Sequence, residues 1–168
     1  TLNMRGNYLQ SPIWNLTKRK EVLLDATITQ LYTREELKKA SVDEINAKIA
    51  EFLNYDEYEY QYKMKMAITY PKRAEGIEMP LYRCPGCGAE FEMRTSGAEI
   101  FCGKCGAKRI MTEYGRMVRP DGSEDGFSHI PDWYEWEREC VKKEIDCGAY
   151  GLNIRVKIES LPNAVNLL

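Results

Sequence analysis

Val42, Ile45, Ile49, Phe52 and Leu53 recur three and four residues apart, with Lys48 and Glu51 on the opposite side. This spacing predicts an amphipathic helix. Ser41 followed by Glu44 supplies the capping-box pattern at its start, and Thr33 followed by Glu36 predicts a second, shorter helix just before it. From Asp56 to about Ile68, Tyr58, Tyr60, Tyr62, Met64 and Met66 alternate with charged residues. The Glu, Lys and Met content predicts helix there, although the alternation also suits a strand. Ile130-Pro131-Asp132 opens another helix, with Pro131 near its first turn. Trp133, Trp136, Cys140, Val141 and Ile145 fall on one face of it, and Gly148 is a plausible stop. Leu152 to Ile158 alternates apolar and charged residues, the pattern of a half-buried strand.

The remaining stretches are less periodic. Tyr8-Leu9 and Pro12-Ile13-Trp14 read as irregular structure packed on something else, and Val22–Leu24 with Ala26–Thr29 as a short strand pair. Pro71, Gly76 and Pro80 mark a linker. Beyond it, Glu90–Arg94 reads as a strand, Ser96-Gly97 as a turn and Glu99–Phe101 as the return strand. Lys108–Thr112 adds a third strand, and residues 119–126 are rich in turn formers. The fold class expected is α+β in three parts. These are a helical N-terminal segment over 1–76, a small antiparallel ribbon over 80–118, and a C-terminal helix plus strand over 119–168.

Composition narrows the function classes. The chain has 168 residues, room for one ordinary domain and a small satellite. Its hydrophobic fraction of 43% argues against wholesale disorder. A formal net charge of −2, with both signs interspersed, leaves no electrostatic footprint for nucleic acid. No apolar run approaches the roughly 20 residues that cross a bilayer, and the start does not resemble a signal peptide. Thr1 in first position suggests a fragment or a processed product.

The chemistry concentrates in two knuckles, Cys84-Pro85-Gly86-Cys87-Gly88 and Cys102-Gly103-Lys104-Cys105-Gly106, with fourteen residues between Cys87 and Cys102. Two Cys-x-x-Cys turns at this distance can present four thiolates as a tetrahedron, the arrangement structural Zn²⁺ prefers. The glycine after each pair permits positive φ where the chain folds around the ion. Four cysteines fill the shell and leave no position for water or substrate, so the motif identifies a metal-held module rather than an activity. Rubredoxin-type iron uses similar knuckles and stays open as an alternative. Clustered pairs of this kind fit a reducing, cytoplasmic compartment better than disulfides do. A ribbon of under forty residues has too little core to fold unaided, so removing the ion is expected to melt it.

Other candidates read more simply. Cys140 and Cys147 share a helix face, but about 10 Å of axial rise separates them, beyond disulfide reach. His129, the one histidine in the sequence, could serve as a general base, yet no Ser or Cys neighbour marks a triad. A packed role at the helix start suits it better. The Trp133–Trp136 cluster and the tyrosines from Tyr55 to Tyr62 fit core or part-wet surface. Lys63, Lys65, Lys72 and Arg73 could meet acidic lipid headgroups, though Asp56, Glu57 and Glu59 balance them.

Taken together, several stretches resemble a known family. They are Met4-Arg5-Gly6-x-Tyr8-x-x-Ser11-Pro12-x-Trp14, the segment from Leu37 to Asn46, the ribbon itself, and the run from Phe127 through Ile130-Pro131-Asp132-Trp133-Tyr134 to Arg138. This pattern resembles the C-terminal region of lysophospholipid acyltransferases of the 1-acyl-sn-glycerol-3-phosphate acyltransferase family, in the form found in Gram-positive anaerobes, and covers nearly the whole chain. The resemblance implies a parent enzyme that moves an acyl group from a carrier thioester to a lysophospholipid hydroxyl. It would use a His and an Asp four residues apart, plus a Phe-Pro-Glu-Gly block for the acceptor phosphate. Neither motif is present: Asp132 lies too close to His129, Tyr134 stands where the Asp would fall, and Phe-Pro-Glu-Gly does not occur. Only the four metal cysteines carry over, and no catalytic residue does. The expectation is therefore a zinc-binding accessory portion of a phospholipid-synthesis acyltransferase. Its expected partners are the rest of the acyltransferase domain, an acyl carrier or a membrane surface, with peripheral membrane association through the parent enzyme. The alternative is a free-standing zinc ribbon that binds nucleic acid or protein.

Overall fold

Both capping boxes form as the sequence requires. Thr33 caps the helix over Arg34–Lys39 through Glu36, and Ser41 caps that over Val42–Leu53 through Glu44, each side chain and backbone reciprocating. In the computed structural model, which describes residues 1–15, 22–151, 153, 155 and 156, the elements follow in chain order. They are β1 (Leu2–Arg5), a one-turn helix at Asn7–Gln10, β2 (Asp25–Ile28), α1 (Arg34–Lys39), α2 (Val42–Leu53) and α3 (Glu57–Lys63). The ribbon strands β3 (Met93–Ser96), β4 (Glu99–Cys102), β5 (Lys108–Met111) and β6 (Met117–Val118) come next, then α4 (Ile130–Asp146). Helices with antiparallel sheets make this an α+β chain. It divides into two compact units, residues 1–137 and 138–168.

The ribbon is a four-stranded antiparallel sheet in the order β3-β4-β5-β6. Ser96 pairs with Glu99, so Gly97-Ala98 forms a two-residue hairpin, and Gly97 has a φ of 61°. The first strand begins three residues later than the alternation suggests. Phe91 sits at a φ of 58° and stacks on Tyr82, which breaks the extended run. The chain then crosses the second knuckle, where the Gly103 N–H donates to the Glu92 carbonyl at 2.8 Å.

The Pro71–Pro80 stretch is not a loose linker. Ala74, Ile77 and Leu81 are fully buried. The stretch wraps the ribbon through Ala74 N–H to the Gly97 carbonyl at 3.1 Å, Arg73 Nε to the Met111 carbonyl at 2.7 Å, and Thr95 hydroxyl to Glu78 at 2.6 Å. Its prolines and glycines shape turns that point Ala74 and Ile77 inward and leave Met79 exposed. One core joins these residues to Leu9, Tyr58, Met93, Ile100, Met111, Met117, Ile130 and Trp133.

At the N-terminus β2 pairs with β1, Leu2 opposite Ile28 and Met4 opposite Ala26, rather than with Val22–Leu24. Pairing partners 20 or more residues apart leave no local signal. The segment from Asp56 is helical, as its composition predicts, but only to Lys63. The amphipathic helix α2 forms with none of its residues buried, so its apolar stripe carries no core in this unit. The last helix starts at Ile130 and stops before Gly148, whose φ of 71° ends it as anticipated. The strand expected over 152–158 falls largely outside the described residues.

Candidate metal centre

The two knuckles fold alike. In the first, Cys84 N–H donates to the Ala89 carbonyl at 2.9 Å and Gly88 N–H returns to the Cys84 carbonyl at 2.8 Å. In the second, Cys102 N–H reaches the Ala107 carbonyl at 2.8 Å and Gly106 N–H the Cys102 carbonyl at 2.9 Å. Each turn closes on a glycine of positive φ, 71° at Gly88 and 74° at Gly106. A side chain there would be strained even though nothing lies within 4 Å of it.

These turns bring four sulfurs together. Cys84 Sγ lies 3.6 Å from Cys105 Sγ and Cys87 Sγ lies 3.8 Å from Cys102 Sγ. All four lie within 4.8 Å of one another. A tetrahedral zinc ion with Zn–S bonds of about 2.3 Å requires sulfurs about 3.8 Å apart, so the residues fit the ion the spacing implies. Cys84 and Cys102 are buried, while Cys87 and Cys105 are exposed. Gly86 is where the knuckles meet: a Cβ there would lie 3.3 Å from that of Ala107.

The electrostatics divide the thiols: Cys84 and Cys87 are pushed up and Cys102 is pulled down. Burial pushes the Cys84 thiol up to about 12. Burial also opposes ionisation of Cys102, but the N–H groups of Cys105 and Lys104, together with the neighbouring thiols, outweigh it and bring that group down to about 7. One thiolate, that of Cys102, is thus available near neutrality, and a cation that binds here must displace the proton that Cys84 holds.

The start of α4 grips the first knuckle. Arg83 precedes Cys84, and both of its main-chain groups are taken by helix side chains. Its N–H donates to Glu137 Oε1 at 2.9 Å, and its carbonyl accepts from Trp133 Nε1 at 3.2 Å. Trp133 is fully buried, edge-on to Phe127 at 6.1 Å between centroids. Glu137 is buried as well, and burial pushes its carboxyl up to about 7. Trp133 is core, as the aromatic stripe suggests, and Trp136 packs half-buried against it, but the sequence pattern points to neither Arg83 nor Glu137. Contacts across 50 and 54 residues leave no local trace.

The other candidates lie apart from the sulfurs. His129 pairs through Nε2 with Asp56 Oδ2 at 2.6 Å, and Asp56 Oδ1 caps α3 by accepting from Glu59 N–H at 2.9 Å. The histidine thus ties the starts of two helices, the role expected of it. Asp132 is exposed. Cys140 and Cys147 remain free thiols. Of the basic set, Lys63 pairs with Glu59 at 3.3 Å, Lys72 with Glu75 at 3.6 Å, and Lys65 lies over the Tyr62 ring at 4.3 Å. No helix among the described residues is long and apolar enough to cross a membrane. No family model, no curated protein and no solved structure matches this chain.

Proposed function

We propose that this chain is a zinc-binding accessory region of a lysophospholipid acyltransferase, in which Cys84, Cys87, Cys102 and Cys105 hold one structural Zn²⁺ and the acyl-transfer chemistry belongs to the parent enzyme. The observation that carries the zinc assignment is the sulfur tetrad, whose separations match a tetrahedral four-thiolate shell. Such an ion supplies folding energy, roughly 10–16 kcal/mol in small zinc peptides. It presents no open position for a substrate.

The acyltransferase reading rests on the resemblance of the ribbon and of the Ile130–Tyr134 segment. That segment packs its Trp133 against the residue preceding the first ligand, so the two parts that carry the resemblance depend on each other physically. The lack of acyl transfer follows from the missing His-Asp and Phe-Pro-Glu-Gly motifs, and His129 is already committed to Asp56. Nucleic-acid binding is disfavoured because Arg83, Lys108 and Arg109 of the ribbon are each paired with a carboxylate. An acyl-carrier protein or a membrane surface remains the expected neighbour of the parent enzyme.

Purified chain, assayed with an acyl-carrier thioester and lysophosphatidate, should transfer no acyl group. The encoded sequence upstream of Thr1 should contain the His-x-x-x-x-Asp and Phe-Pro-Glu-Gly blocks. Acyl transfer by the chain alone, or translation starting at Met4, would overturn the assignment.

A further inference from the structure

The two sheets treat their edges differently. The ribbon covers both of its outer strands. The Gly76 N–H donates to Thr95 Oγ1 on β3 at 3.1 Å, and the Met117 N–H on β6 donates to the Ser128 carbonyl at 2.8 Å. The sheet of β1 and β2 has two strands only, an arrangement that is marginal in water on its own. Just past β1, the Gly6 N–H is taken by the Glu57 carboxylate. Nothing among the described residues pairs with the outer side of β2, and all four of its residues are exposed, Ile28 at 83%.

The pairing fixes which groups face outward. The Thr29 N–H donates to the Thr1 carbonyl at 2.9 Å and the Thr1 amine to the Thr29 carbonyl at 2.8 Å, so these two form a hydrogen-bonded pair. Alternation along an antiparallel ladder makes Asn3 with Thr27 and Arg5 with Asp25 the next such pairs. Ala26 and Ile28 therefore turn their N–H and C=O groups away from β1. Their side chains share one apolar face with Leu2 and Met4, since directly opposed residues lie on the same side of a sheet. Outer strands are ordinarily guarded by lysine, proline or a bulge. Asp25-Ala26-Thr27-Ile28 carries none of these, and its one charge sits at the end.

We propose that β2 pairs antiparallel with β2 of a second copy of this chain, about a twofold axis at Thr27. Ala26 then faces Ile28 of the second copy, and the reverse, and each pair exchanges both main-chain hydrogen bonds. The two threonines meet on the axis as a favourable cross-strand pair. Each apolar row doubles, Leu2 and Ile28 running on into Ala26 and Met4 of the second copy. Charge selects this register. It sets Asp25 opposite Thr29 of the second copy, with the two carboxylates at opposite ends of the ladder. A slip that opposes Ala26 to itself brings the carboxylates onto a diagonal, and the next slip sets them directly opposite, which is destabilising. The product is one four-stranded sheet in the order β1-β2-β2-β1. This assignment uses neither the metal nor the acyltransferase reading.

The test uses the full zinc-loaded chain with Cys140→Ser and Cys147→Ser, which leaves no thiol outside the sulfur cluster. Sedimentation velocity over a range of concentrations should show a monomer–dimer equilibrium. Thr27→Cys should form a disulfide between copies under mild oxidation, because Cα atoms of a non-hydrogen-bonded pair lie about 4.5 Å apart. Ala26→Cys should not, since residue 26 does not oppose itself. Ala26→Pro removes an outward donor and should weaken the dimer about tenfold. Ile28→Lys, at a position exposed enough to spare the fold, covers the case in which Ala26→Pro misfolds and should weaken it by a similar factor. Ile13→Lys, equally exposed at 83% but in the groove lined by Tyr8 and Tyr134, should leave the dimer unchanged. A chain that is monomeric at every concentration, cross-linking by Ala26→Cys as readily as by Thr27→Cys, or a dimer lost in Ile13→Lys but kept in folded Ile28→Lys would overturn the assignment.

Discussion

Cys84 and Cys102 carry the greatest weight at the scale of single residues, since each belongs both to the sulfur cluster that could hold a metal ion and to the core. Replacing either by serine should abolish stoichiometric metal binding and unfold the ribbon, whereas Cys140→Ser should leave metal content and thermal stability unchanged. Metal analysis beside a thermal melt distinguishes the two classes. Glu137 makes a second prediction at this scale. Its carboxyl is raised to about 7 by burial, so the folded chain holds a proton that the unfolded chain releases at ordinary carboxylate pH. Its favourable contribution is complete below the unfolded pKa, near 4.5, and is lost as pH rises through 7. Glu137→Gln keeps an acceptor for the Arg83 N–H and removes the titration. The difference in midpoint between variant and parent should therefore grow in the variant's favour from pH 5 to pH 8. A difference that stays flat across that range would show the carboxyl to be ionised throughout.

At the scale of elements, the knuckles and the helix starts were written in local sequence, and they form as read. A Cys-x-x-Cys-Gly turn and a Ser-x-x-Glu capping box both close within a few residues, so their physics is contained in the pattern itself. Elements whose form depends on distant partners were harder to read. β2 pairs with the chain start, the Pro71–Pro80 stretch buries Ala74 and Ile77 in the core it shares with the ribbon, and the positive φ of Phe91 delays β3. None of these leaves a periodicity to find. The knuckle glycines allow a clean test of local conformation. Gly88→Ala and Gly106→Ala each place a Cβ in open space but at positive φ, so each should cost about 1–2 kcal/mol through backbone strain alone. Asparagine at either position should cost less than alanine, and chemical denaturation of the zinc-loaded chain would measure the order. Ser41→Ala should cost about 1 kcal/mol through loss of the α2 cap, read most directly as faster amide exchange in its first turn.

At the scale of the whole molecule, the sequence suggested a ribbon that depends on metal by itself. The first unit instead has one core in which the buried cysteines Cys84 and Cys102 belong to the same cluster as Leu9, Ile77, Met117 and Trp133. Arg83, clamped by Trp133 and Glu137, extends that dependence to the start of α4. Chelation should therefore expose amides of the Pro71–Pro80 stretch and of residues 130–137 together with those of the ribbon. Amides of α2, which has no buried residue, should change little. The sulfur cluster was legible because spacing encodes it. The helix that holds the first knuckle in place was legible as a helix but not as a clamp.

The account stands on one ion per chain, bound by four thiolates. Elemental analysis of freshly isolated protein, paired with thiol titration before and after chelation, tests this most directly. One zinc per chain is expected, with Cys84, Cys87, Cys102 and Cys105 becoming reactive only when it is removed and Cys140 and Cys147 reactive throughout. A folded chain with no bound metal, or with all six thiols reactive while the zinc stays in place, would contradict it.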